Sequence, residues 1–330
     1  MAAPAAPSGA VARPRRFRVA PPTGSAPSSS AALRELLGDK SKCTVLPAVH
    51  DGLSARVVGR SGHSAAFLSG YAVSASLLGL PDAGICSYEE MESAARRCTA
   101  ALPPGFPVIG DGDTGFGGPG QIRRMVRGYA AAGLAGLSVE DQTFPKRCSY
   151  AAGMACVDLA AAEARVKCVL DAVNEVRETT GRDLIVVGRT DVRNDATLGG
   201  QAALDEAISR AERFAELGCD VVYAEGLQGE AEHARLHAAL GPGVPTLLAQ
   251  VEKPGLELLT ADEAHARGFR LLLHGLTVLS AQLRATEDAL GALLHGQERV
   301  PQALLSDFDH LYDAVGFGDL DAWERRHPAA

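Results

Sequence analysis

Two acids flank a single glycine at Asp111-Gly112-Asp113, and two more stand side by side at Glu140-Asp141. Gathered at one point as anions, such groups repel strongly. A divalent cation removes that cost. Hard oxygen donors with neither His nor Cys among them select Mg²⁺ or Mn²⁺ over Zn²⁺. The competing reading is structural: some of the acids cap helices and others pair with Arg189. Arg189 closes a wholly apolar stretch, and its fork of donors suits a carboxylate or phosphate. Its alternative is an internal ion pair with Glu140, Asp191 or Glu225. Cys148 follows two cations in Lys146-Arg147-Cys148-Ser149-Tyr150. Cations beside a thiol lower its pKa below the free value of about 8.5, although a lone cysteine is more often inert. Gly115-Phe116-Gly117-Gly118-Pro119-Gly120 lacks the Lys-Ser/Thr ending of a phosphate loop and reads as a flexible turn.

Positioning these groups is the task of a repeated unit. Eight short apolar runs recur from Cys43 onward: Thr44 to Val49, Ala65 to Leu68, Pro107 to Gly110, Leu134 to Val139, Leu184 to Gly188, Asp220 to Ala224, Pro245 to Ala249, and Arg270 to Leu273. Continuous rather than alternating hydrophobicity marks parallel strands buried on both faces. Helical spacing lies between them, as in Ile122, Met125, Val126, Tyr129, Ala130 and in Leu204, Ala207, Ile208, Ala211, Ala215. Ser87-x-x-Glu90 and Thr260-x-x-Glu263 look like capping boxes. The pattern predicts an α/β fold, a (β/α)₈ TIM-type barrel with extra C-terminal helices, over 35–296; an open doubly wound sheet shares the same periodicity. Residues 297–330 form a C-terminal helical extension with Trp323 near its end.

Chemistry in such barrels sits where strands end. The residues there are Asp51; Ser69 and Gly70; Asp111 and Asp113; Glu140 and Asp141; Arg189 and Asp191; Glu225; Gln250 and Glu252; and His274. A single Asp after a strand is usually a helix cap; a polar group after every run is harder to assign to capping alone.

The 330 residues are 46% hydrophobic but only 5% aromatic, with a net charge of −8. No basic stripe interleaved with aromatics appears, which argues against nucleic acid, and no apolar run is long enough to span a bilayer. The 7 cysteines are scattered with no C-x-x-C pair, which fits free thiols in a reducing compartment. Residues 1–34 carry Arg13, Arg15, Arg16, Arg18 and Arg34 with no acid before Glu35. This segment reads as an organellar transit peptide or a disordered tail.

Taken together and in order, Ser69-Gly70-Tyr71-Ala72-Val73-Ser74-Ala75-Ser76, Leu80-Pro81-Asp82, Asp111 to Gly117, Glu140-Asp141-Gln142, Pro145-Lys146-Arg147-Cys148 and Arg189-Thr190-Asp191 resemble the isocitrate lyase/phosphoenolpyruvate mutase superfamily. With Leu276-Thr277, the arrangement is most similar to a plastid branch, the carboxyvinyl-carboxyphosphonate phosphorylmutase-like proteins. The resemblance implies a homotetramer that exchanges C-terminal helices, acting on a small carboxylate in the chloroplast stroma, with mitochondrion or cytoplasm as alternatives. It implies Mg²⁺ (or Mn²⁺) held near Asp111, with Asp82, Asp113 and Glu140 as direct or water-mediated ligands. Ser69, Gly70, Tyr71, Arg189, Glu225 and Gln250 would bind substrate, the backbone at Ser69 and Gly70 serving an oxyanion. Cys148, flanked by Lys146 and Arg147, would protonate an enolate as a C–C bond breaks.

Departures narrow the reading. Lyases of this family usually carry Gly-His after the cysteine, where Ser149 and Tyr150 stand; a Lys where Met154 stands; and an Asn where Gln250 stands. Gly112 replaces a common Ala, a minor change at the level of sequence. These differences point away from standard isocitrate or methylisocitrate cleavage. Three functions remain: a metal-dependent C–C lyase, a phosphonate mutase or C–C/P–C hydrolase on the same site, and a non-catalytic carboxylate-binding homologue.

Overall fold

The computed structural model describes residues 28–294, 300–301 and 305–327. All eight apolar runs become strands: β1 Thr44–Val49, β2 Ala66–Leu68, β3 Val108–Asp111, β4 Gly136–Glu140, β5 Ile185–Thr190, β6 Val221–Ala224, β7 Leu247–Gln250 and β8 Leu271–His274. They form one parallel sheet in the order β6-β5-β4-β3-β2-β1-β8-β7. A parallel bridge between Val222 and Thr246 joins the two ends, so the sheet closes as a barrel. An open doubly wound sheet is thereby ruled out.

Helices alternate with the strands. They are α1 Ser29–Gly38, α2 Gly52–Arg60, α3 Gly70–Val73, α4 Tyr88–Ala101, α5 Pro119–Ala131, α6 Leu159–Thr180, α7 Gly200–Leu217, α8 Gly229–Leu240, α9 Ala261–Ala266 and α10 Thr277–Leu294, followed by α11 Phe308–Val315 and α12 Phe317–Arg326. Both capping boxes form, at Ser87/Glu90 and Thr260/Glu263. No described helix is long and apolar enough to cross a membrane.

The core divides by strand parity, because successive side chains on a strand point to opposite faces. Leu46, Phe67, Ile109, Ile185, Val187, Val221, Tyr223, Leu247, Leu271 and Leu273 fill the barrel. Val49, Leu68, Val108, Leu137 and Val139 meet the helices on one side, and Val222, Ala224, Leu248 and Leu272 on the other. One step beyond each strand, the same parity decides what faces the barrel axis.

The folded body starts earlier than composition suggests. Ser28 caps α1, and Leu33 on this helix is fully buried with the barrel interior. Arg34 bonds Asp183 and Asp220. Residues 29–34 therefore belong to the barrel's lower plug and not to a tail; an Ala-rich window hides the two buried leucines, Leu33 and Leu37. Residues 1–27 lie outside the described part.

At the other end, α10, α11 and α12 bury none of their residues. Leu283, Leu290, Leu293, Phe308, Phe317 and Trp323 are all exposed.

Candidate active site

Parity places the charged groups. Asp111 continues the inward position of Ile109, Arg189 that of Val187, and Glu225 that of Tyr223. Glu140 enters from β4, and its neighbours by register are Arg189 on β5 and, through Ser138, Asp111 on β3. The inward ring at one end of the barrel thus carries three acids and one guanidinium.

Asp111 is fixed from three sides. Its carboxylate accepts from the Gly70 N–H at 3.3 Å, the Asp113 N–H at 3.2 Å and the Ser138 hydroxyl at 3.3 Å. Its carbonyl accepts from the buried Tyr129 hydroxyl at 2.6 Å. A Cβ on Gly70 would lie only 3.1 Å from Asp111 Oδ2, so glycine here admits the acid. Gly112 is equally constrained: a Cβ would meet the Ser138 carbonyl at 2.3 Å, so the exchange for alanine is not minor in this chain. Asp113 itself takes a left-handed backbone, φ 45°, which a non-glycine residue adopts only where its surroundings impose it.

Two cations of the chain itself enter the acidic ring. Lys146, 4% exposed, sets its ammonium 2.7 Å from Asp113 and 2.5 Å from Asp82. Burial works against its charge, but Asp113, Glu140 and Asp82 together hold its pKa well above the ordinary value. Burial drives the Asp113 carboxyl the other way, up to about 7, against the pull of Lys146. Arg189 donates to both oxygens of Asp191, at 2.8 and 3.1 Å. It also lies 3.3 Å from Glu140 and 3.7 Å from Glu225. All three carboxylates named as its internal alternatives are thus its partners. Burial raises the Glu140 pKa well above the usual carboxylate range, with Arg189 offsetting part of the effect.

The loop that carries Cys148 is shut over this ring. An antiparallel bridge between Gln142 and Cys156 pinches its base. The Cys148 N–H donates to the Asp82 carbonyl at 3.0 Å, and the Arg147 N–H to Gln142 at 2.9 Å. The departures from the family motif serve here as latches. Tyr150 donates to Glu225 at 2.8 Å, and Asn194 donates to Ser149 at 3.0 Å. Tyr223 donates to the second oxygen of Glu225.

Several expectations change. The Cys148 thiol is not lowered. Burial is the largest influence and raises its pKa, Asp82 adds to that, and Arg189 and Lys146 offset only part. The shift disfavours the thiolate. Arg147 is exposed against Gly153 and contributes no charge to the ring. The Ser69 N–H is used by the Val49 carbonyl and that of Gly70 by Asp111, so neither is free for an oxyanion. The Ser69 hydroxyl caps α3, on whose first turn Tyr71 is half-buried. Gln250 shares outward parity with Leu248, and both ends of its amide bond Leu259, at 3.0 Å and a shorter distance. Asp141 and Asp51 are structural: Asp141 bonds Arg210, Thr190 and the Asp191 N–H, and Asp51 forms a capping box with Ser54.

The sequence reading missed His50, which lies on the inward parity of β1 one residue before the more conspicuous Asp51. It also missed Gln142, which donates to Asp191 and holds the loop backbone.

Among the described residues no three His, Cys, Asp or Glu side chains close around one point. Lys146 occupies Asp82 and Oδ1 of Asp113 alike, so both acids would have to be released for the expected four-acid set to form. Asp111, Asp113 and Glu140 still fit a hard divalent cation in kind: all are oxygen donors, and Glu140 Oε1 is buried with no hydrogen-bond partner.

With this geometry in view, the similarity to known proteins is informative. Residues 33–294 match the phosphoenolpyruvate phosphomutase family. The chain belongs to that family, and so to the isocitrate lyase/phosphoenolpyruvate mutase superfamily of enzymes. Among its relatives is a chloroplastic carboxyvinyl-carboxyphosphonate phosphorylmutase of Arabidopsis thaliana, 35% identical over 84% of this chain and 78% of the relative. The structure of an oxaloacetate acetylhydrolase in complex with 3,3-difluorooxalacetate superposes with a TM-score of 0.82 at 30% identity, covering 92% of this chain and 98% of the other. That of 2,3-dimethylmalate lyase, a member of the same superfamily, also gives 0.82, at 28% identity over 92% and 97% of the two chains.

Proposed function

We propose that this chain is a carbon–carbon lyase that cleaves a small 2-hydroxy or 2-oxo carboxylate through an enolate, with Mg²⁺ (or Mn²⁺) held by Asp111, Asp113 and Glu140. One observation carries the reading: an inward acidic ring retains an unpartnered carboxylate oxygen beneath a latched loop that carries the half-buried thiol of Cys148. The bound cation supplies positive charge to the oxygens of a 2-oxo carboxylate and its enolate. Arg189, with 13% of its side chain exposed, takes the substrate carboxylate by giving up part of its hold on Asp191. Lys146 and Asp82 hold the loop down. Cys148 then delivers its proton to the enolate carbon, which suits a raised pKa better than a nucleophilic role does. The Tyr150–Glu225 bond closes the far side and excludes water.

A second reading, hydrolysis of a C–C bond in a 2-oxo acid, is supported by the likeness to oxaloacetate acetylhydrolase. A screen of 2-hydroxy acids, 2-oxo acids and phosphonates with Mg²⁺ tests both, with products followed by ¹H and ³¹P NMR. The expected result is release of a 2-oxo acid by the unsubstituted protein and its loss in Cys148→Ala. Equal turnover in the presence of a chelator, or in Cys148→Ala, counts against the mechanism.

Assembly and location follow from the ends of the chain. The exposed apolar face of α10, α11 and α12 supports a homo-oligomer, a homotetramer with exchanged C-terminal helices, in which other copies cover that face. The acid-free, arginine-bearing residues before Ser28, together with a chloroplastic relative, support a transit peptide and a plastid location.

A further inference from the structure

We propose that His50 accepts the proton of the substrate hydroxyl during bond cleavage, an inference that rests on the lyase reading above. The argument starts from register. Ala48 on β1 pairs with Phe67 on β2, and Phe67 fills the barrel interior. Side chains of paired residues in a parallel ladder point the same way. Two residues on, His50 is therefore inward and level with Ser69, whose neighbour Gly70 touches Asp111. His50 thus stands at the inward position just past β1, with α10 against its Nε2.

Its hydrogen bonding is lopsided. The residue is 3% exposed. Nε2 lies 2.8 Å from Gln282 Oε1 on α10. Asp51 Oδ2 is 3.9 Å from the same nitrogen, beyond hydrogen-bond reach, while Oδ1 accepts from the Ser54 N–H. With an amide oxygen facing it, Nε2 carries the proton and Nδ1 is left as a bare acceptor. Nδ1 is buried and has no partner. Glu140 Oε1 is likewise buried without a partner, whereas Asp113 Oδ1 lies against the Lys146 ammonium. Orphaned buried acceptors are costly, and one that is retained marks a place that awaits a donor. The Glu140 oxygen suits a cation. An unpartnered imidazole nitrogen suits a hydroxyl.

The other bases of the ring are engaged. Glu225 accepts from Tyr150, Tyr223 and the Gly226 N–H. Asp191 holds Arg189 and Gln142. Asp82 and Asp113 hold Lys146. In the cleavage step the hydroxyl proton passes to Nδ1 and the O–H pair becomes the second bond of a carbonyl. The C–C bond breaks and its pair forms the enolate. The Cys148 thiol protonates the enolate carbon, and the imidazolium returns its proton to the thiolate through solvent once product leaves. His50 and Cys148 thus divide the work, one for each fragment.

Two measurements test this assignment. In protein labelled with ¹⁵N-histidine, the His50 ring should show a protonated Nε2 and a bare, pyridine-type Nδ1; the opposite tautomer overturns the proposal. The second separates the two half-reactions. Exchange of C3 hydrogens of the 2-oxo product with deuterium needs Cys148 but no hydroxyl base. In His50→Phe, cleavage should fall at least 100-fold while exchange stays within about threefold of the unsubstituted protein. Loss of both would make His50 structural, and loss of neither would remove it from the reaction. Exchange with no cleavage of any hydroxy acid by the unsubstituted protein would instead defeat the lyase reading itself.

Discussion

Glu140 faces into the barrel, 3.3 Å from Arg189, with one oxygen unpartnered. Asp141, the next residue, faces outward, where Thr190, the Asp191 N–H and Arg210 use both of its oxygens. Both are buried acids at the end of the same strand. One keeps a free oxygen over the barrel axis, and the other ties sheet to helix. The same division separates His50 from Asp51 at the end of β1. The difference teaches that strand parity, more than residue type, decides which rim residues are free for chemistry.

The widest break between the two acids should appear in Glu140→Gln. Turnover is expected to fall on the order of 1,000-fold, because a charged oxygen donor is lost where charge develops. The melting temperature should change little, since the carboxylate removed is desolvated and Arg189 keeps Asp191 and Glu225. A melting loss as large as that of an Asp141 variant would erase the distinction.

Asp141→Asn should do the reverse. Breaking one side of a buried ion pair costs about 3–5 kcal/mol, which for a chain of this size lowers melting on the order of 10 °C. Arg210 keeps Glu206 at 2.7 Å, which favours the lower end of that range. Calorimetry on the folded fraction should show Mg²⁺ affinity unchanged; a large loss of affinity would move Asp141 into the site.

Lys146→Met sharpens the account of the inward cluster. Its ammonium would compete with a metal for Asp113, so removing it should tighten Mg²⁺ binding about tenfold, equivalent to about 1.4 kcal/mol. Turnover should drop at the same time, because the loop loses its anchor to Asp82 and Asp113. Weaker Mg²⁺ binding in that variant would mean that the lysine organises the acids rather than competing for them. The smallest effect belongs to Asp51→Ala. Loss of its capping box costs about 1 kcal/mol, visible in chemical denaturation, while turnover should stay unchanged.

Much of this was readable in the sequence. All eight strands and both capping boxes fall where hydrophobic runs and Ser/Thr-x-x-Glu spacings place them. Asp111, Glu140, Arg189 and Glu225 were visible as strand-end residues. Counting parity from the apolar residues would have separated Glu140 from Asp141, set Gln250 aside and drawn in His50. Other properties depend on three dimensions. The raised Cys148 pKa comes from burial under a folded loop, which neighbouring cations in sequence do not reveal. The need for Gly112 comes from the Ser138 carbonyl of the next strand. The partners of Ser149 and Tyr150 lie on the β5–α7 and β6–α8 connections, beyond the reach of local spacing.

Titration calorimetry with oxalate, an analogue of a planar 2-oxo carboxylate enolate, examines the inward ring most directly. The account expects oxalate to bind only with Mg²⁺ or Mn²⁺ present, and both to be lost together in Asp111→Asn while the variant remains folded. Oxalate binding of equal strength without metal, or metal binding undiminished in Asp111→Asn, would contradict it.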